Sequence, residues 1–169
     1  TQTFNITAPS APLVATVTQT YVSCFGGSDG SATASVSGGT PGYTYSWAPV
    51  GGTSATATGL TPNCHTVTVT DANGCVVTQT VCISQPAQLT VSNASQTNVS
   101  CNGGSNGAAS VNVSGGTTSY SYNWTPGNPA GDGTASVTGL SAQTYTCTVT
   151  DANLCVNSST ISITEPPVL

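Results

Sequence analysis

Few side chains in this sequence could do chemistry. The chain has seven cysteines, one histidine and five acidic residues, and it has no lysine or arginine. A hydrolytic site needs a nucleophile held against a general base. His65 is the one imidazole that could serve as that base, and Tyr145 takes its place when the two halves of the chain are aligned. We therefore expect no enzymatic activity, and we interpret His65 as an outward-facing surface residue on a strand.

The acidic residues have structural explanations. Asp71 and Asp151 each open an Asp-Ala-Asn sequence, where an aspartate side chain commonly caps a tight turn. Asp29 could bind calcium together with loop carbonyl groups, because Ca²⁺ prefers oxygen ligands. Its equivalent in the second half is Asn106, and no Asp-x-Asp spacing supports such a site. Calcium is therefore the weaker interpretation, and we expect no cofactor apart from covalently attached glycans.

The absence of cationic side chains excludes two classes of partner. Nucleic acids and anionic membrane surfaces both attract lysine and arginine, whereas this chain has a net charge of −5. The seven cysteines indicate an oxidising compartment. We therefore expect an extracellular protein, either at the cell surface or in a secreted fibre.

The elements that position these residues occur as repeats. Residues 13–89 align with residues 90–169 almost without gaps, and residues 1–12 precede the first copy. The segment "TQTFNIT" at residues 1–7 resembles "TQTVCIS" at 78–84 and "SSTISIT" at 158–164. The strand that ends each copy therefore occurs three times, although the rest of the copy occurs twice.

Each copy has the pattern of an all-β domain. Short alternating segments between Gly, Pro and Asn-Gly turns predict strands at 13–20, 31–37, 43–48, 54–58, 65–70 and 76–84, with counterparts in the second copy. We expect two tandem immunoglobulin-like antiparallel sandwiches of about seven strands each, preceded by an N-terminal strand. Tyr43, Tyr45 and Trp47 alternate onto one face, and we expect these aromatic side chains and their counterparts to form most of each core.

The repeat register suggests how the cysteines pair. Cys24 aligns with Cys101 and Cys75 aligns with Cys155, so we predict the disulfides Cys24–Cys75 and Cys101–Cys155. A further disulfide follows from the hairpin register: if Thr70 lies opposite Val76, then Cys64 lies directly opposite Cys82.

The second copy has no counterpart of this last disulfide, because Thr144 and Ser162 occupy the two positions. Cys147 replaces Val67, an inward-facing position. We interpret Cys147 as a buried free thiol, in preference to a cysteine that forms an intersubunit disulfide.

Three segments carry a family resemblance: "VSCFGGSDGSATASVSGGTPGYTYSW", "TGL" and "TVTVTDANGC". They are similar to the SprB-type repeat of gliding-motility adhesins and other large bacterial surface proteins. The resemblance covers both copies, and it implies a secreted, non-catalytic tandem repeat that serves as an adhesin or fibre component. It assigns no binding residues. The sequence departs from the family pattern in its additional cysteines Cys64, Cys82 and Cys147.

Glycans are a candidate modification of this uncharged surface. Asn-x-Ser/Thr sequons occur at Asn5, Asn93, Asn98, Asn112, Asn123 and Asn157. The many Ser and Thr residues are equally open to O-linked sugars.

The third copy of the end strand leads to the functional prediction. We expect residues 1–12, with Phe4, Ile6 and Pro9 as the assembly strand, to join the sheet of another copy and so build a head-to-tail homopolymer. Contact with a surface glycan or substratum is compatible with this role.

Two alternatives remain open. The chain could instead be an excerpt of a giant tandem-repeat adhesin, or a carbohydrate-binding module of a secreted enzyme. The module would use exposed aromatic side chains, for which Tyr21, Phe25 and Tyr145 are the candidates.

Overall fold

The computed structural model describes residues 11–168, and within that range every regular element is a β-strand. The predicted all-β class is confirmed. The chain divides into two compact units, with the boundary between Gln85 and Pro86. The sequence-based boundary, between residues 89 and 90, lies four residues later.

Within residues 11–168 each unit contains six strands, which lie at the six predicted places, where about seven were expected. The strands of the first unit are β1 Val14–Thr20, β2 Gly30–Ser37, β3 Thr44–Ala48, β4 Thr56–Leu60, β5 Cys64–Thr70 and β6 Val76–Cys82. Those of the second unit are β7 Thr90–Thr97, β8 Gly107–Ser114, β9 Ser121–Thr125, β10 Ser136–Leu140, β11 Gln143–Thr150 and β12 Val156–Ile163.

The six strands of a unit form two three-stranded antiparallel sheets. Their orders are β1-β2-β4 and β3-β5-β6 in the first unit, and β10-β8-β7 and β12-β11-β9 in the second. β1 lies beside β6 and β7 lies beside β12, so the two sheets of each unit approach each other along one side. The strands on the other side, β3 with β4 and β9 with β10, remain sheet edges.

The core of each unit is mainly aliphatic, which corrects the prediction of an aromatic core. Leu60, Val67 and Val69 are fully buried in the first unit, as are Leu140 and Val149 in the second. Both tryptophans are buried as predicted.

The tyrosines of the predicted aromatic strands only pack against the core from its margin: Tyr43, Tyr45, Tyr120 and Tyr122. The reason lies in their hydroxyl groups, which need hydrogen-bond partners when they are covered. The Tyr43 hydroxyl donates to the carbonyl of Gly38 at 2.6 Å, and the Tyr120 hydroxyl donates to that of Gly115 at 2.6 Å.

The chain enters each unit at one end and leaves it at the opposite end. We call the end where β1 or β7 begins the proximal end; it also holds the β2–β3 and β5–β6 connections, or their equivalents. The distal end holds the β1–β2 loop and the residues that follow β6. There Val22 N donates to Ser84 O at 3.1 Å in the first unit, and Val99 N donates to Thr164 O at 2.9 Å in the second.

Candidate functional site

A buried aspartate organises the proximal end of each unit. The Asp71 carboxylate accepts hydrogen bonds from the backbone N–H groups of Thr40, Asn73 and Cys75, each at 2.9 Å. Asp71 is 4 % exposed. Two of these bonds close the β5–β6 turn and the third ties the turn to the β2–β3 connection, so the predicted turn cap also joins two loops.

Asp151 makes the same arrangement in the second unit. Its carboxylate accepts the backbone N–H groups of Thr117 at 2.8 Å, Asn153 at 2.9 Å and Cys155 at 2.9 Å. Hydrogen bonds to the ionised form hold the pKa of Asp71 and of Asp151 below the ordinary aspartate value, with the Thr40 and Thr117 N–H groups as the largest cause. Both groups are therefore carboxylates at neutral pH.

The Gly-Gly-Thr segment fits against the strand that enters the unit. Gly38 has a φ of 68°, and a Cβ atom there would collide with the carbonyl oxygen of Pro12. Gly115 has a φ of 72°, and a Cβ atom there would collide with the carbonyl oxygen of Gln88. Only glycine combines this left-handed conformation with so close a backbone approach.

The distal loop of each unit is closed by hydrogen bonds of its own. Gly27 N donates to Cys24 O at 3.0 Å, and Gly104 N donates to Cys101 O at 3.0 Å. Ser23 N donates to the Asp29 carboxylate at 3.0 Å, and Ser100 N donates to Asn106 Oδ1 at 3.0 Å.

These bonds give Asp29 a structural role. The hydrogen bonds from Ser23 lower the pKa of Asp29. In the second unit the side-chain oxygen of Asn106 accepts the equivalent hydrogen bond. Among residues 11–168 no group of three His, Cys, Asp or Glu side chains could hold a metal ion.

The residues that leave each unit also bind its distal loop. Gly26 N donates to Gln85 Oε1 at 2.6 Å in the first unit. In the second unit, Gly103 N donates to Glu165 Oε2 at 2.8 Å and Asn102 Nδ2 donates to Glu165 Oε1 at 3.1 Å. The departing chain is thereby fixed against the loop.

The β5–β6 hairpin carries the cysteine pair predicted from its register. Thr70 lies opposite Val76 and Cys64 lies opposite Cys82, and the two cysteines form a disulfide. At the equivalent positions of the second unit, the hydroxyl groups of Thr144 and Ser162 lie 2.9 Å apart and form a hydrogen bond. At this register position the first unit therefore has a covalent bond between its strands, and the second unit has a hydrogen bond.

The predicted disulfides Cys24–Cys75 and Cys101–Cys155 are not formed. Cys75 and Cys101 are free, exposed thiols, whereas neither Cys24 nor Cys155 is free. The predictions were wrong because Cys24 and Cys101 lie at the distal ends of their units, whereas Cys75 and Cys155 lie at the proximal ends. Seven or eight strand residues separate the two ends, or about 20 Å, and the Cα atoms of a disulfide lie within about 7 Å of each other.

Cys147 is a buried free thiol, which agrees with the preferred interpretation. Burial is the main cause that raises the pKa of Cys147 to about 11, and the negative charge of Asp132 adds to it. A thiol with this pKa is protonated and unreactive at neutral pH.

His65 is fully buried, so its interpretation as a surface residue was wrong. His65 shares the inward side of β5 with Val67, because side chains alternate along a strand with a period of two. Its Nε2 donates to the Thr61 carbonyl at 3.1 Å, while the buried Nδ1 has no hydrogen-bond partner among the described residues.

Tyr145 is buried at the equivalent position, where its hydroxyl accepts a hydrogen bond from Gln143 Nε2 at 2.8 Å. It is therefore not available as an exposed aromatic for binding a carbohydrate. Tyr21 and Phe25 are about half exposed, at 53 % and 51 %.

Four of the sequon asparagines are exposed: Asn93, Asn98, Asn112 and Asn123. Asn157 differs, because its Nδ2 donates to the Leu89 carbonyl at 2.7 Å and the residue is half-buried. The remaining sequon, Asn5, and the assembly-strand residues Phe4, Ile6 and Pro9 lie outside the described residues. Across residues 11–168 there is also no helix with the length and hydropathy needed to cross a bilayer.

The chain is similar in fold to solved structures that contain immunoglobulin-like domains. One contains the three N-terminal domains of the bacteriophage RB49 highly immunogenic outer capsid protein, with 20 % sequence identity, a TM-score of 0.54, and coverage of 90 % of this chain and 59 % of that chain. Another is the C-terminal 282-residue fragment of intimin in complex with the intimin-binding domain of its translocated receptor, with 16 % identity, a TM-score of 0.46, and coverage of 91 % and 64 %.

This chain therefore spans about three fifths of the length of those two structures. Both units have an immunoglobulin-like fold, as the sequence predicted. No curated protein sequence matches the chain.

The family comparison matches the sequence twice. The model of the SprB repeat covers residues 16–52 and again residues 93–129, at equivalent places in the two units. Both matches run from the first strand of a unit through the distal loop, the Gly-Gly-Thr segment and the tryptophan strand. Both units are therefore similar to the SprB repeat, over 74 of the 169 residues in total (37 in each match), and in this respect the chain resembles structural repeat proteins of the cell surface.

Proposed function

We propose that the chain is a non-enzymatic subunit of an extracellular, pilus-like filament in which copies join head to tail. The observation that supports this best is the placement of entrance and exit at opposite ends of each unit. A contact between a distal end and the proximal end of another copy is heterologous. Such a contact does not close on itself, so it propagates into a fibre.

Residues 1–12 supply the joining strand in this proposal. A strand added to a sheet edge gains affinity from main-chain hydrogen bonds and specificity from alternate side chains. The second unit keeps two such edges, β9 and β10, on the side where its sheets do not approach each other. The β10 edge already bears a backbone bridge between Ala130 and Thr138. On the β9 edge the Asp132 side chain accepts the Trp124 N–H at 2.9 Å, but no backbone bridge occupies that edge among the described residues, so β9 is the acceptor that we propose.

The proposed role of residues 1–12 as the joining strand is tested with the substitution Ile6→Asp. If the Ile6 side chain enters a neighbouring sandwich, a carboxylate there would be buried without a partner, which is costly. We expect filaments to be lost in negative-stain electron microscopy while the circular dichroism spectrum of the subunit is unchanged.

Asn5→Asp is the matched control, because it places the same charge on the opposite face of the added strand. Asn5→Asp should assemble like the unmodified chain. Filaments of normal number and length from Ile6→Asp would rule out strand addition through this residue.

A second candidate function is supported by the SprB match, because the same two units would serve as part of a long tandem-repeat adhesin. The intact mass of the natural polypeptide separates the two candidates. A subunit has a protein mass near 16.6 kDa, plus any glycans, whereas an adhesin has a mass many times larger.

Glycosylation belongs to the same proposal, because neutral sugars would keep a surface with so few charges soluble. Asn93, Asn98, Asn112 and Asn123 are the candidate sites, since each is exposed. Intact-mass measurement before and after enzymatic deglycosylation tests the idea. A natural chain with the unmodified mass would reject it.

A further inference from the structure

The two exposed free thiols lie at complementary ends of the chain's units. Cys75 follows the β5–β6 turn at the proximal end of the first unit, and Cys101 lies in the β7–β8 loop at the distal end of the second. The equivalent cysteines, Cys155 in the proximal turn and Cys24 in the distal loop, are not free. The free cysteines are therefore the proximal one of the first unit and the distal one of the second.

Both thiols are held on fixed backbone. Cys75 N donates to Asp71 Oδ1 at 2.9 Å, and Asp71 N donates back to Cys75 O at 3.0 Å. The Cys101 carbonyl accepts Gly104 N at 3.0 Å, and the next residues of the loop are bound to Glu165. Both exposed thiols are therefore presented from a hydrogen-bonded backbone.

Each thiol also borders a hollow formed with the adjoining chain. Cys101 lines a hollow of ≈ 470 Å³ together with Ser100, Asn102, Pro166, Pro167 and Val168. Cys75 lines one of ≈ 150 Å³ together with Ala11, Pro12, Leu13, Gly39 and Asp71. Cys101 therefore shares its hollow with residues that leave the second unit, and Cys75 shares its hollow with residues that enter the first unit. This arrangement suits a junction between two copies of the chain.

Charge alone would not join these ends. The distal end of the second unit carries the Glu165 carboxylate, the proximal end of the first carries that of Asp71, and the chain has no lysine or arginine to pair with either. A covalent bond needs no charge complementarity, and it also resists pulling forces along a fibre.

We propose that Cys101 of one copy and Cys75 of the next form a disulfide that locks the head-to-tail junction. The inference rests on the proposed head-to-tail assembly. The reaction is thiol–disulfide exchange with a small disulfide such as oxidised glutathione. The two thiols lose two protons and two electrons as the new S–S bond forms, and the oxidant's S–S bond breaks to give two thiols.

The test uses the full chain incubated with a mixture of oxidised and reduced glutathione. We expect a ladder of multiples of 16.6 kDa on non-reducing gels, which dithiothreitol collapses to one band. Digestion of a mixture of ¹⁴N- and ¹⁵N-labelled chains should give mixed-label peptides that join Cys75 to Cys101. A Cys75–Cys101 bond found only within single labels would overturn the proposal, as would symmetrical Cys75–Cys75 and Cys101–Cys101 bonds.

Single variants give a sharper result. Cys75→Ser and Cys101→Ser should each lose the ladder, and an equal mixture of the two should stop at a dimer, because each partner then supplies one thiol. Cys147→Ser is the matched control: its thiol is buried, so the ladder should persist. A ladder from Cys75→Ser that extends beyond the dimer would contradict the assignment.

The outcome can be separated from that of the proposed function. Filaments whose Cys75 and Cys101 are both alkylated by iodoacetamide without reduction would refute the disulfide and leave the filament intact. Cross-linked chains that form no filaments by electron microscopy would instead count against the filament.

Discussion

At the scale of single residues, the proximal end depends on one carboxylate in each unit. Asp71 and Asp151 each bind three backbone N–H groups from two different connections. A short, buried and ionised side chain is well suited to this, because charge-assisted hydrogen bonds are stronger than neutral ones. The same side chain also fixes the backbone of the cysteine four residues later.

The stability of the chain should therefore fall in acid. The pKa of Asp71 is lower in the folded chain than the unfolded value of about 3.9. Its stabilising contribution is present above the unfolded pKa and is lost as the pH falls through the folded pKa. We expect the free energy of unfolding, measured in urea by circular dichroism, to decrease steadily below about pH 4.

Asp71→Asn tests the origin of that decrease. The amide removes the charge, so the variant should be less stable than the unmodified chain at pH 7, and the difference should narrow in acid, where Asp71 is itself neutral. Asp151→Asn should do the same in the second unit. A constant difference at every pH would show that these carboxylates are not the titrating groups.

At the scale of the elements, the two final hairpins share one register and differ at one cross-strand pair. β5–β6 joins Cys64 to Cys82 covalently, whereas β11–β12 pairs the hydroxyls of Thr144 and Ser162. The backbone register is the same in both units, because the turns that begin with Asp71 and Asp151 start their second strands at equivalent positions.

Moving the disulfide into the second unit should stabilise it. Thr144→Cys combined with Ser162→Cys would close a loop of the same length as that in the first unit, which is worth about 3 kcal/mol in the chain-entropy model. The lost hydroxyl pair contributes about 1 kcal/mol, so we expect a net gain of about 2 kcal/mol. Urea unfolding of the oxidised and reduced forms measures this gain.

An off-register pair is the control for that design. Gln143→Cys combined with Ser162→Cys places the two thiols on opposite faces of the hairpin, because side chains alternate along a strand. No disulfide should form in this variant, and no stabilisation is expected. Equal stability of the oxidised and reduced Thr144/Ser162 variant would contradict the register argument. In the reverse exchange, Cys64→Thr combined with Cys82→Ser should weaken the first unit.

At the scale of the whole molecule, each unit has its own hydrophobic core. Leu60 lies in the core of the first unit and Leu140 in that of the second, at equivalent positions and with at most 1 % exposure. Each core also contains one tryptophan, Trp47 or Trp124, which makes fluorescence of single-tryptophan chains a probe of one unit at a time.

A substitution in the core of one unit should therefore lower the free energy of unfolding of that unit alone. Leu60→Ala should lower the unfolding free energy of the first unit by about 2–5 kcal/mol and leave the second nearly unchanged. Leu140→Ala should do the reverse. Each leucine variant is made in a Trp124→Phe chain, whose fluorescence reports on the first unit, and in a Trp47→Phe chain, whose fluorescence reports on the second. Equal shifts of the urea midpoint in both chains would show that the two units unfold as one.

Local patterns were sufficient to predict most of the fold. The alternation of apolar and small polar residues located all six strands of each unit to within a few residues, and the hairpin register identified the Cys64–Cys82 pair. These predictions succeeded because strand period, turn chemistry and register are properties of neighbouring residues. The burial of His65 was also within reach, because it shares the side of β5 occupied by Val67.

The sequence by itself determined the repeat, the all-β class, the turn function of Asp71 and Asp151, and the pairing of Cys64 with Cys82. Only the tertiary structure decided which end of a sandwich each remaining cysteine occupies. Repeat alignment shows that two residues are equivalent, but it does not measure the distance between them. Cys24 and Cys75 lie at opposite ends because β3 and β4 both run toward the distal end, so the four strands between the two loops bring the chain out at the end opposite to where it started. That separation leaves the thiols of Cys75 and Cys101 exposed where another copy could meet them.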